Sequence, residues 1–243
     1  MSDALIIGKR VDIALLTPDK LAEYDASEEA REWLFTKAGK PNAAHAVTER
    51  CIARVKREKD AKLLLGGEHQ VLLTFDINGI PWRCAIDDLD LEGGTLTDLK
   101  TCRDFDAQWT IINGKNTKVP FYEAHGYWTQ LAVYSHAVKQ VHGKNVVCFI
   151  LAVTKQDPAD LAAFLFALED RMDRELDVIA HLQPAILEWK AMPIDTVPRC
   201  GKCDYCRATK TLDLDNLTPA ESLCWPELSN RFVSMSEYNK QEE

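Results

Sequence analysis

The chain has 243 residues, is 46% hydrophobic and carries a formal net charge of −9. That length and apolar content suffice for one large core, or a core with an appendage, and the charge excludes a wholly basic protein that coats nucleic acid. No apolar run reaches membrane-spanning length and "MSDALIIGKR" lacks a signal-peptide pattern, so a soluble cytoplasmic chain is expected; its eight cysteines then point to metal or core roles rather than disulfides.

Residues 18–38 carry a mostly amphipathic helical pattern that Gly39 and Pro41 end. A second helix is predicted over 43–65, with Val47, Cys51, Ile52 and Val55 on one face and Gly66-Gly67 as its stop. The period then changes. "HQVLLTFD" predicts a strand, Asn78-Gly79 a turn, and "WRCAIDDLDL" a second strand. Gly93-Gly94 turns the chain into a third, "TLTDLKT". Residues 121–141 predict a helix, "NVVCFILAVT" a buried strand, and 160–192 a long helix or helix pair. Pro193 and Pro198 lead into a cysteine-rich tail. The sum is a mixed α/β domain over 1–195 and a cysteine-rich segment over 196–243. Two basic stretches, 50–62 and 199–210, could bind phosphate, although the first also suits a solvated helix face.

The second and third strands hold the acids Asp87, Asp88, Asp90, Glu92 and Asp98, with Lys100 two residues after the last. Alternate strand residues share a face, so Asp98 and Lys100 point one way while Thr97 and Leu99 point the other. If the two strands pair across Gly93-Gly94, Asp87 and Asp98 converge. Neighbouring buried carboxylates do not both stay ionised without a counter-charge. A divalent cation supplies it, and oxygen ligands suit Mg²⁺ or Mn²⁺. Such an ion activates water and stabilises phosphoryl charge, while a lysine on the same face moves the proton or neutralises the transition state. The spacing suits phosphodiester hydrolysis. Taken alone, Asp-x-Lys also matches an exposed edge strand with an ordinary surface ion pair.

These residues resemble the PD-(D/E)XK nuclease superfamily, whose core runs helix, three strands, helix, strand, as over 43–154. Within it the chain looks like the phage and prophage RecE-like (exodeoxyribonuclease VIII-like) branch, related to RecB-type nuclease domains. The resemblance implies a restriction-endonuclease-like core, a mixed central sheet flanked by helices. It implies Asp87 in "AIDDLD" and Asp98 in "TDLKT" as metal-binding acids, the Leu99 carbonyl as a further ligand, and Lys100 as the catalytic lysine. "YWTQLAVY" matches the Gln-x-x-x-Tyr signature at Gln130 and Tyr134, one helical turn apart. Asp12 in "GKRVD" stands where many relatives have a ligand histidine, and Glu68 stands where many use an acid. The implied function is a Mg²⁺- or Mn²⁺-dependent DNA exonuclease that resects double-stranded ends for phage-type recombination, in the host cytoplasm if phage encoded. A single-strand annealing protein and a homo-oligomer are the further partners that resemblance brings into view. The rivals are a nuclease of other polarity or endonuclease mode, and a non-catalytic DNA-end or protein-binding module. Intact Asp98 and Lys100 argue against the module.

The tail "RCGKCDYCRATK" places Cys200, Cys203 and Cys206 in a C-x2-C-x2-C spacing that suits zinc or an iron–sulfur cluster. Spacing leaves cluster, zinc and no metal open. By resemblance to iron–sulfur nucleases, a 4Fe–4S cluster would take a fourth ligand upstream, Cys51; Cys224 is the downstream alternative.

Overall fold

The computed structural model describes residues 3–112, 114–194, 196, 199–201 and 203–211. The predicted positions Pro198 and Cys224 lie outside them. By compactness the chain divides within one helix, into units 1–185 and 186–243.

The chain opens with a helix that the sequence reading left out, α1 (Asp3–Leu16), which buries Ile6, Ile7, Arg10, Val11, Ala14 and Leu16. The single helix expected over 18–38 is instead a 3-10 turn (Pro18–Lys20), α2 (Leu21–Ala26) and α3 (Glu28–Leu34). Ser27 makes the break: its extended backbone ends α2, and its hydroxyl accepts from the Ala30 N–H at 3.2 Å to cap α3. Asn42 caps α4 (Ala43–Arg57) in the same way, through His45 N–H at 3.1 Å. The helix predicted to reach residue 65 stops at Glu58, and α5 (Lys59–Leu64) follows.

A five-stranded sheet then forms in the order β1-β2-β3-β6-β7. β1 (Glu68–Ile77), β2 (Ile80–Asp90) and β3 (Thr95–Cys102) are antiparallel, as predicted, with Asn78 and Gly79 at φ 51° and 75° in the first turn. A hairpin, β4 (Gln108–Ile112) and β5 (Lys115–Val119), makes a separate two-stranded sheet. A short α6 (Phe121–Ala124) and α7 (Tyr127–His142) lead to β6 (Val147–Thr154), which pairs parallel to β3. The next segment corrects the reading: Leu161–Phe166 is a strand, β7, antiparallel to β6, and only Glu169–Ala191 is helical, as α8. In the second unit α9 (Asp204–Ala208) holds Cys206 and is capped by Cys203.

Two apolar clusters sandwich the sheet. On one side Leu96, Cys102 and Ile150 pack with Leu131 and Val138 of α7. On the other, Leu99, Leu151 and Val153 pack with Val11 of α1 and Cys51, Ile52 and Val55 of α4. β3 is thus buried on both faces, the pattern of a strand with a parallel neighbour.

Candidate active site

The acids gather where the sheet's ladders fail. In register, Gln70 of β1 falls opposite Asp87 of β2, but the ladder is interrupted there. Gln70 takes the left-handed φ of 53°, and its amide nitrogen donates to Asp87 Oδ1 at 3.0 Å. The β2–β3 ladder ends at Asp88↔Thr97, one step before Asp87 would meet Asp98. Asp87 Oδ2 instead accepts from the Leu99 N–H at 3.0 Å. The carboxylate stands in for a missing strand partner, which fixes it beside the third strand.

Asp98 is 2% exposed. Its carboxylate forms an ion pair with Lys100 and accepts from Gln130 Nε2 at 2.8 Å. The same Gln130 nitrogen donates to the Tyr134 hydroxyl at 2.9 Å. Lys100 Nζ lies 5.3 Å from the centre of the Tyr127 ring, a cation–π contact. α7 therefore supplies three side chains, one turn apart or nearly so, to the face of β3 that carries Asp98 and Lys100.

α1 supplies Asp12. Gly8 is where that helix crosses β3: a Cβ there would meet Thr101 Oγ1 at 3.0 Å. A bare backbone at Gly8 lets the helix approach and sets down Asp12 one turn later. Arg10 holds the helix in place. Its guanidinium grips Asp25 of α2 through two bonds of 2.8 and 2.9 Å, and reaches Thr48 and Glu49 of α4 at 2.8 and 2.6 Å. Asp12, Asp87, Leu99, Lys100 and Gln70 line one cleft of about 840 Å³, whose wall also holds Lys9, Lys20 and Lys155.

The charges are mutually unfavourable. Burial, then the Asp87 charge, pushes the Asp12 carboxyl up to about 8, with Lys100 pulling down and Asp98 adding to the rise. Burial pushes Asp98 up to about 6 against the pull of Lys100, and Asp87 pushes it further. Three carboxyls around one lysine lack positive charge, which is the condition a divalent cation relieves. The donor chemistry suits such an ion: hard carboxylate oxygens borne by three elements, α1, β2 and β3.

The sequence candidates divide clearly. Asp12, Asp87, Asp98, Leu99, Lys100, Gln130 and Tyr134 come together. Glu68 is exposed at the start of β1 opposite Leu89, and the β1 side chain that reaches the acids is Gln70. Asp88 is buried beside the site, where Oδ2 accepts from Gly67 N–H at 3.0 Å and lies 3.1 Å from His69 Nε2. Sequence reasoning missed Gln70, Tyr127 and the role of Gly8. Gln70 had no motif; Tyr127 sits three residues before Gln130 and was readable by helical spacing.

In the second unit the three thiols of Cys200, Cys203 and Cys206 lie within 4.8 Å of one another. Cys206 is buried, and the Cys203 sulfur accepts from the Cys206 N–H at 3.4 Å to cap α9. Among the described residues these are the one group of His, Cys, Asp and Glu ligand atoms that close together. Cys51, in the first unit, is 0% exposed; its thiol meets the Thr154 carbonyl at 3.5 Å, and burial raises its pKa.

No helix among the described residues is long and apolar enough to cross a membrane. No curated protein matches the chain. A solved structure from Eubacterium rectale, described as a candidate exonuclease, shares the fold with a TM-score of 0.77 and 24% identity, over 93% of this chain and 80% of that one. The family described as a PDDEXK-like domain of unknown function (DUF3799) matches residues 1–209. With the mixed sheet, its flanking helices and that match over most of its length, the chain belongs to this PDDEXK-like family.

Proposed function

We propose that the protein is a divalent-cation-dependent DNA nuclease that acts from duplex ends. The observation that carries the reading is that Lys100, paired with the buried Asp98, lines a cleft with Asp12 and Asp87. Asp12, Asp87, Asp98 and the Leu99 carbonyl would hold Mg²⁺ or Mn²⁺. When bound, such an ion supplies charge neutralisation and a Lewis acid for the phosphoryl oxygen. Lys100 orients the attacking water, accepts its proton or offsets the charge that develops on phosphate. Gln130 fixes the Asp98 rotamer, and Tyr134 fixes Gln130. Lys20 and Lys155 give the cleft cations for phosphate despite the acidic chain, while Lys9 is paired with Glu29.

Exonuclease mode is supported by resemblance to the RecE-like branch rather than by the cleft itself. The discriminating substrate pair is linear duplex and covalently closed circular duplex, each with Mg²⁺. Release of nucleotides from the linear form alone supports an end-dependent enzyme. Equal attack on the circle makes it an endonuclease, and attack on neither removes the nuclease reading.

For the tail, we infer that Cys200, Cys203 and Cys206 bind one thiophilic metal, a 4Fe–4S cluster or zinc, because three close thiols sit on a tight turn and a capped helix. Cys51 as fourth ligand requires its thiol to leave the Thr154 carbonyl and deprotonate.

A further inference from the structure

The β4–β5 hairpin lies in the chain between the strand of Lys100 and the helix of Gln130, and the site described above does not use it. Its register places Trp109 opposite Lys118, Ile111 opposite Asn116, and Ile112 opposite Lys115. Residues directly opposite in an antiparallel pair project from the same face. Trp109, Ile111, Asn116 and Lys118 therefore share one side, and all four are exposed, Trp109 at 71% and Ile111 at 70%. The other side is half-buried at Gln108, Thr110, Thr117 and Val119 and exposed at Ile112 and Lys115, beside the turn.

A hairpin that leaves a tryptophan and an isoleucine in water presents a flat apolar surface for something else. The charge around that surface identifies the occupant. From Gln108 to Val119 there are two lysines and no acid, in a chain of net charge −9. A second copy docking through this patch would set like charges face to face across a two-fold axis. An anionic partner with flat apolar faces meets both requirements, and unpaired nucleobases on a phosphate chain are such a partner.

Aromatic contacts also tie the hairpin's surroundings to the catalytic lysine. Phe105, on the segment leading into β4, packs on Phe121 of α6, with ring centres 5.7 Å apart. Phe121 packs on Tyr127 at 6.1 Å, and Tyr127 covers Lys100.

We propose that the exposed face of β4–β5 is a stacking platform for a single strand of nucleic acid. Bases stack on Trp109 and Ile111, and Lys118, on the same side, contacts the phosphates. The proposal rests on the nuclease reading and deepens it: the strand engaged outside the cleft is unpaired, because a duplex hides its base faces.

The test uses the full chain without divalent cation, so that nothing is cleaved, with fluorescently labelled oligothymidylate and a blunt duplex as probes. Trp109→Ala/Ile111→Ala is expected to weaken oligothymidylate binding about tenfold or more, and duplex binding less. Lys118→Ala should lower the salt slope by about one phosphate contact. Trp109→Phe, which keeps an aromatic face, should retain most of the affinity, and Lys118→Glu offers a second exposed change should the double variant fold poorly. Metal-dependent cleavage by the wild type is measured alongside. If it cleaves DNA while the double variant and Lys118→Glu bind oligothymidylate as wild type does, the platform is wrong and the nuclease reading stands. If the wild type neither binds nor cleaves nucleic acid, both fall. Conversion of a dimer to a monomer by the double variant in sedimentation, at unchanged oligothymidylate affinity, assigns the face to self-association and overturns the proposal.

Discussion

Gln130 stands 2.8 Å from Asp98, donating from α7 across to β3, and the same nitrogen is anchored on Tyr134. A buried carboxylate held by an amide and a lysine has one orientation, and here it is paired with the lysine that lines the cleft. Gln130→Ala should leave the fold intact and lower cleavage by about 10–100-fold, the usual cost of losing a group that orients a metal ligand. Tyr134→Phe should cost less, since it loosens the amide without removing it. Circular dichroism beside the rate measurement separates this from unfolding.

The raised carboxyls make stability depend on pH. Asp12 and Asp98 hold protons in the folded protein up to about 8 and about 6, while ordinary aspartates lose them near 3.8. The folded state then binds more protons than the unfolded state, so stability falls as pH rises through that window. Metal-free protein should melt at a lower temperature at about pH 8 than at about pH 5. Mn²⁺ or Mg²⁺ should restore stability most at the higher pH, because the ion competes with protons for the same oxygens. Asp12→Asn should flatten the upper part of this dependence. A melting temperature that rises with pH in metal-free protein would contradict the assignment.

Gly8 offers a test of how α1 is placed. Gly8→Val puts branched bulk where a single Cβ already meets Thr101 Oγ1 at 3.0 Å. Overpacking of this kind costs about 1–3 kcal/mol. The larger expected effect is on metal binding, since Asp12 moves with the helix. Calorimetric titration with Mn²⁺ should show weaker affinity in a protein that still melts cooperatively.

Much of the strand core was readable because its signals are local. Asn78-Gly79 marks a turn, Gly93-Gly94 another, and the alternation between them sets faces. The Asp-x-Lys spacing then put Asp98 and Lys100 on one side, which their ion pair bears out. What failed depended on partners distant in sequence. "LAAFLF" reads as helix by its alanines and leucines, and becomes β7 because β6 offers an open edge. The hairpin "QWTIINGKNTKV" carried an Asn-Gly signal that went unread among short segments. Glu68 looked like the acid of β1, and only the left-handed backbone at Gln70 shows which side chain turns toward Asp87.

The cysteine trio predicts a metal in purified protein. Anaerobic preparation should give brown protein with visible absorbance if a cluster is bound, or a colourless one with about one equivalent of zinc. Cys203→Ser should remove either. Cys51→Ser tests the fourth ligand: retention of the metal in that variant would exclude it. Elemental analysis that finds neither iron nor zinc would contradict a metal at the trio.

Division of labour between Asp98 and Lys100 is the centre of the account. In the proposed mechanism Asp98 binds the ion and Lys100 acts on the transition state, so their variants should fail differently. The measurement is digestion of end-labelled duplex DNA with Mg²⁺ by wild type, Asp98→Asn and Lys100→Ala, with Mn²⁺ affinity determined on each. Wild type should shorten the duplex. Asp98→Asn should lose both cleavage and ion affinity, and Lys100→Ala should keep the ion while losing about 10²-fold or more in rate. Undiminished cleavage by Lys100→Ala would contradict the account.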